Sequence, residues 1–158
     1  MVTIEAATSA DIDAITDRWV ELARDQRAHG SHLMPDENRD TIHDSVARHV
    51  IENSLFVARD EGIVGFVMFN LQSGMYEQAT TRGIIQNVYV EPEHRDSGIG
   101  SELLDAAEKA LVERGAERLA LEVMAKNESA RRLYRSRGYE PHRIELEKSL
   151  ENDNHSKE

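Results

Sequence analysis

The chain has 158 residues, enough for one domain with a continuous core and no structural metal or disulfide. It contains no cysteine, which excludes disulfides, zinc–thiolate sites and thiol nucleophiles by inventory. A formal net charge of −11 makes the whole protein repel phosphate backbones and anionic lipid, against a nucleic-acid or membrane role and in favour of a cationic or amine-bearing partner.

Met1–Glu5 lacks the basic start and apolar run of a secretion signal, and no later segment has the length of a membrane span, so the expected location is the cytoplasm. The 19 basic residues are mostly arginine. High-salt adaptation, GC-rich coding and ordinary acidic solubility all remain open as the reason.

Val2–Ala6 predicts a first strand, and Thr8 with Asp11 predicts a capped helix start. Ile12, Ile15, Trp19 and Leu22 then form one apolar stripe ending near Gly30, and Gly30–Glu37 reads as a loop. A second helix is predicted from about Asn38 to Asn53. Leu55–Ala58 and Ile63–Phe69 read as a hairpin, Leu71–Arg82 as a loop, and Gly83–Val90 as the strongest strand. Ser101–Gly115 predicts a helix, Arg118–Val123 a strand, and Asn127–Arg137 a helix stopped by Gly138. An extended segment over Tyr139–Leu146 closes the order. The expectation is a single domain over residues 1–150, one mixed sheet with helices on both faces, followed by a polar, disordered tail at 151–158.

The run from Val88 to Ser101 is a strand, a tight turn and a helix start. Such a turn leaves the first helix amides unpaired and suited to a phosphate, and Gly98 and Gly100 remove the Cβ atoms that would hold an anion away. A P-loop needs Gly-Lys-Ser/Thr, which is absent, and the dinucleotide fingerprint needs a glycine where Leu103 stands.

Arg95-x-x-Gly98-x-Gly100, after Val88-Tyr89-Val90 and before an amphipathic helix, resembles the acetyl-CoA loop of the GCN5-related N-acetyltransferase (GNAT) superfamily. Leu121-Glu122-Val123, Asn127, Ala130, Leu133-Tyr134 and Gly138-Tyr139 resemble its following strand and helix. The resemblance implies an α/β fold with a mixed, mostly antiparallel central sheet, helices on both faces, and a splayed strand pair at the acetyl-CoA site.

It further implies that the main chain of Val88, Tyr89 and Val90 pairs with the pantetheine arm. The amides of Arg95, Asp96, Ser97, Gly98, Ile99 and Gly100, with Ser101, would hold the pyrophosphate. Asn127 would meet the pantetheine arm or simply cap the next helix. Tyr134 would stand beside the thioester sulfur as general acid, or pack in the core. Glu122, twelve residues before Tyr134, resembles the base of the RimI-like branch, which acetylates protein N-termini. Its alternative role is a plain edge-strand glutamate, and Glu91 is a weaker base candidate. Arg131, Arg132 and Arg135 would meet the adenosine 3′-phosphate or form a solvated face. His29, His32, His43, His49, His94 and His142 show no metal-ligand spacing, so no metal is assigned.

In this fold the acceptor lies near the first two helices, which points to Trp19, His29, His32, Met34, Asp36 and Glu37. Three functions follow: acetylation of a protein or peptide amine, acetylation of a small amine such as a polyamine, amino acid or aminoglycoside, and non-catalytic sensing of acetyl-CoA. The superfamily's habit points to a homodimer.

Overall fold

The computed structural model describes residues 1–73 and 76–151. The chain falls into two compact units, Met1–Asn127 and Glu128–Glu158. The first holds β1 (Thr3–Ala6), α1 (Ile12–Ala28), α2 (Arg39–Ile51), β2 (Leu55–Arg59), β3 (Ile63–Leu71), β4 (Arg82–Val90), α3 (Ile99–Glu113) and β5 (Arg118–Leu121). The second holds α4 (Glu128–Ser136) and the chain beyond it.

The five strands lie in sequence order in one sheet, antiparallel except for the parallel pair β4–β5. Strand alternation sends successive side chains to opposite faces. Val57, Phe66, Met68 and Tyr89 therefore pack on one face against Ile15, Val20, Ile42 and Val46 of α1 and α2. Residues of the opposite parity meet α3: a Cβ at Gly83 would lie 2.9 Å from a Leu111 side-chain carbon, and one at Gly65 would meet Leu103 at 3.2 Å. Glycine at position 83 thus lets α3 lie close over the β4–β5 pair. Central β3 is buried on both faces through Phe69, as a strand sandwiched between helical layers requires.

The α1 entry forms as its side chains dictate. A 3₁₀ turn at Ser9–Asp11 precedes the helix, and Thr8 N–H donates to Asp11 Oδ2 at 2.9 Å. Arg59 Nη2 lies 3.1 Å from the same oxygen and its Nε 2.6 Å from Glu5, so one guanidinium ties β1, β2 and the helix start together. Burial acts to raise the Asp11 pKa, but the Thr8 amide and Arg59 outweigh it and hold the carboxyl below its usual value.

Two shifted bounds and one missing strand each have a local reason. The α3 helix begins at Ile99 rather than Ser101, because left-handed Gly98 is its N-cap. Strand β5 stops at Leu121 rather than Val123, where its pairing with β4 ends. No strand forms after Ser136 among the described residues, so the extended strand predicted over Tyr139–Leu146 is not there. Pro141 has no N–H to give a ladder, and Ile144 and Leu146 are 76% and 88% exposed, without the apolar face that an alternating strand needs. Apart from Glu151, the tail expected to be disordered lies outside the described residues, as do Gly74 and Met75 of the predicted 71–82 loop.

Asp11→Asn is expected to lower stability at pH 7 by about 1–2 kcal/mol, since the charge-assisted bonds to Thr8 and Arg59 weaken together. A carboxyl whose folded pKa is depressed stabilises above its unfolded value, about 3.9, and loses that contribution as pH falls through the folded value. Urea unfolding of both proteins should therefore show the gap in full at pH 6–7 and a shrinking gap below about pH 4.

Candidate active site

The site begins where two parallel strands part. The register pairs of β4 with β5 run from Arg82↔Arg118 to Ile85↔Leu121 and end there, while β4 continues to Val90. On its other side β4 stays paired with β3 as far as Gly65↔Val90. Glu91 N–H prolongs that ladder to Val64 O at 2.8 Å. By antiparallel alternation, the main-chain groups of Val88 and Val90 then point away from β3, toward the opening.

A β-bulge sits at the same place. Met68 pairs with Asn87 and Phe69 with Ile85, so Gln86 has no residue opposite it. The extra residue puts Gln86 and Asn87 in succession on the α1–α2 face. Gln86 Nε2 donates to Asn70 Oδ1 at 2.9 Å, and Asn87 Oδ1 accepts from Trp19 Nε1 of α1 at 3.2 Å. Glu122 is exposed and directly follows Leu121, the last residue of β5. The α1–α2 loop reaches this end of the sheet too, since a Cβ at Gly30 would meet Met124 Cε at 3.6 Å.

Beyond Val90 the chain makes a short 3₁₀ turn at Pro92–His94 and then two left-handed residues, Asp96 (φ 63°) and Gly98 (φ 90°). The first helical bond of α3 is Glu102 N–H to Gly98 O, which leaves the amides of Ile99, Gly100 and Ser101 without an intrahelical acceptor. No side chain caps them, because Ser97 Oγ donates instead to His94 O. A Cβ at Gly100 would be at an ordinary 3.8 Å from Val90 Cγ2, so internal packing does not demand glycine there. Bare amides, a helix dipole and two glycines form a cradle for a diphosphate, and Val88 and Val90 offer main-chain groups to an extended arm; this donor set fits coenzyme A.

Arg95 turns back into the protein. Its Nε donates to Val90 O at 2.7 Å, its Nη2 lies 3.1 Å from Asp25, and its guanidinium stands 5.6 Å from the Tyr89 ring centroid. Val90 C=O is therefore already taken, leaving Val88 and the Val90 N–H. The Tyr89 side chain is core, 6.0 Å from Phe66, and burial pushes its phenol up while Arg95 acts in the opposite sense. Glu91 is ion-paired with Arg18 at 2.9 Å, and Arg18 Nε also donates to Ile63 O. That engagement disfavours Glu91 as a free base. Glu91, Glu93 and His94 each bring a potential ligand atom within 4.8 Å of the others, a grouping that the sequence spacing does not suggest.

A model of the acetyltransferase (GNAT) family matches residues 16–139. The chain belongs to that family. It is accordingly an acyltransferase, an acetyl-CoA-dependent N-acetyltransferase. Among solved structures, a GCN5-related N-acetyltransferase from Ralstonia eutropha superposes with TM-score 0.76 at 21% identity, covering 95% of this chain and 99% of that one. The aminoglycoside acetyltransferase AAC(6′)-Iy, bound to a CoA-linked acetylneamine analogue, gives TM-score 0.74 at 14% identity over 94% and 98% of the two chains. An aminoglycoside acetyltransferase from an uncultured soil metagenomic sample, in complex with sisomicin, gives 0.67 at 19% over 94% and 96%. At these identities the likeness is one of fold, and it confirms the mixed sheet expected of a GNAT member.

In the second unit, Tyr134 lies on α4, its ring 6.1 Å from that of Tyr139 at 71°. Its side chain is partly buried, and burial pushes the phenol above its ordinary value, so it is protonated at neutral pH. Arg131 is 3.7 Å from Glu128, and Arg132 and Arg135 are exposed. In the first unit, Asn127 N–H donates to Met124 O at 2.9 Å, in the turn before α4. Asp36 is held by Arg24 at 2.7 Å, and Met34 is half-exposed in the α1–α2 loop. Among the described residues, no helix of this GNAT chain is long and apolar enough to cross a membrane.

Gly98→Ala should lower the urea midpoint by the equivalent of about 1 kcal/mol, the cost of a left-handed Ala. It should also weaken calorimetric binding of coenzyme A, whereas Gly62→Ala, with open space around it, should leave that binding unchanged.

Proposed function

We propose that this enzyme acetylates a primary amine at the opening between β4 and β5, with Tyr134 as general acid and Glu122 as general base. The observation that carries the reading is the end of strand pairing at Ile85↔Leu121 beside a helix N-terminus with free amides. Acetyl-CoA, when bound, supplies an acetyl thioester. Arg95 N–H is already bonded to Pro92 O, so the amides from Asp96 to Ser101 hold the diphosphate, and the Val88 main chain with the Val90 N–H aligns its arm as another strand would. A β4 amide facing the opening also serves as donor to the carbonyl oxygen as negative charge develops there.

The acceptor enters from the α1–α2 face, where Trp19 holds Asn87 and the bulge presents Gln86. Glu122 takes a proton from the acceptor ammonium directly or through water. The new bond joins the amine nitrogen to the acetyl carbon, the carbon–sulfur bond breaks, and Tyr134 gives its proton to the departing sulfur; the nitrogen sheds its second proton as the amide forms, and that proton restores the Tyr134 phenol by way of solvent. The raised phenol pKa supports this role, because the donor is fully loaded at neutral pH. Asn127 contacts the pantetheine arm, and residues 1–150 make up a single acetyltransferase domain, a reading supported by the family match over residues 16–139.

The twelve-residue step from Glu122 to Tyr134 favours a protein or peptide amine, N-terminal or lysine. A small-molecule amine is the second reading, favoured by the ligands of the two aminoglycoside acetyltransferases that share the fold.

Tyr134→Phe is expected to slow turnover about 100-fold while acetyl-CoA binding by calorimetry stays within twofold, as for loss of a general acid. An unchanged rate removes Tyr134 from the mechanism. Glu122→Gln should lower turnover at least about tenfold if the carboxylate is the base, and a rate equal to wild type assigns deprotonation elsewhere.

A further inference from the structure

A second concavity lies at the end of the sheet beside the last turn of α2, away from the diphosphate cradle. It encloses about 540 Å³ between the last turns of α2, the ends of β2 and β3, and the bulge of β4. That volume falls within the roughly 300–1,000 Å³ of small-molecule sites. Its lining is polar and carries both signs of charge: Arg48, His49 and Glu52 from α2, Arg114 from the end of α3, and Asn70 with Gln86 from the sheet.

Arg114 is fixed in place. Its Nη1 donates to Ser54 Oγ at 2.9 Å and its Nη2 to Asn53 O at 2.6 Å, while its guanidinium stands 5.4 Å from the Phe69 ring centroid. Arg48 forms no ion pair among the described residues. His49 is buried, and its Nδ1 donates to Ser45 O at 2.8 Å, so Nε2 is the ring nitrogen left for a ligand. Two guanidiniums suit a carboxylate, and Glu52 with His49 Nε2 suits an ammonium. Together they match the zwitterionic head of a free amino acid. In a chain of net charge −11, a pair of arginines at one cavity is the local exception that an anionic group needs.

Gln86 joins this cavity to the opening, because it lines the one and stands one residue past the last β4–β5 pair. Val88, two residues on, is about 7 Å further along the strand, so an amine borne on a short chain extends past Gln86 to meet it. We infer that the acceptor is a free diamino acid, its carboxylate held by Arg48 and Arg114 and its side-chain amine delivered past Gln86 to the acetyl group. The inference rests on the reading of acetyl transfer at the β4–β5 opening and takes its small-molecule form further. The side-chain ammonium loses one proton to the base and a second as the amide forms, gaining the acetyl group, while the thiol leaves with one proton and the other passes to solvent.

The test pairs each diamino acid with its decarboxylated form: lysine with cadaverine, ornithine with putrescine, and 2,4-diaminobutyrate with 1,3-diaminopropane. At least one amino acid should exceed its partner about tenfold or more in kcat/KM, with the acetyl group on the side-chain nitrogen by mass spectrometry. Arg48→Gln should collapse that ratio through KM, and calorimetry with coenzyme A present should show weaker binding of the same amino acid. The exposed position of Arg48 leaves the fold intact, which a thermal melt verifies. Diamines used as well as or better than the amino acids, a ratio unmoved by Arg48→Gln, or no turnover of any of the six by protein that binds acetyl-CoA would each overturn the inference and leave the transfer site standing. Failure to bind acetyl-CoA at all would overturn the transfer reading itself.

Discussion

Everything at this site depends on where β4 stops pairing with β5. Four parallel register pairs hold the strands together under α3, and Gly83 beneath Leu111 lets the helix close down on them. The bulge at Gln86 then shifts the strand by one residue, just as the partner leaves. Without the bulge, alternation would send Asn87 to the α3 face and Val88 to the other, and Trp19 Nε1 would lose its acceptor. One extra residue thus sets both the side chains offered to an acceptor and the main-chain groups offered to the cofactor.

The loop after Val90 is held by long-range polar contacts. Arg18 reaches Glu91 and Ile63 O, and Arg95 reaches Val90 O and Asp25. These groups are a quarter to a half exposed, so each ion pair contributes at most about 1 kcal/mol and little of the fold's stability. Their effect is geometric. They turn the arginine side chains inward and leave the loop's main chain, with its left-handed Asp96 and Gly98, facing out. An anion site made of amides carries no side-chain entropy to lose on binding and needs no net positive charge, which suits a strongly acidic protein.

Charge divides the labour across the acceptor side as well. The overall negative field favours an arriving ammonium, while Arg48 and Arg114 concentrate positive charge at the far end of α2. A molecule with an amine at one end and a carboxylate at the other meets complementary charge at both. A polyamine or an aminoglycoside meets it at one end only.

Motifs whose chemistry lies within a dozen residues were legible from the chain alone. The Thr8–Asp11 start, the helical stripe of α1 and the strand–turn–helix of residues 88–101 all follow from local periodicity and turn chemistry, and the family and its mixed sheet follow from the last of these with the Leu121–Tyr139 match. Tertiary structure decided the rest, because the pairings involved are far apart in sequence. Nothing near Gln86 announces a bulge, which is defined by Met68 and Phe69 across the ladder. Nothing near Glu91 announces Arg18, and nothing near Arg48 announces Arg114, whose place at the cavity comes from the packing of α3 across the sheet. The alternation of Ile144 and Leu146 reads as a strand until one asks what covers it; an extended segment is stabilised by a neighbour, and a neighbour is a property of the fold and not of the segment.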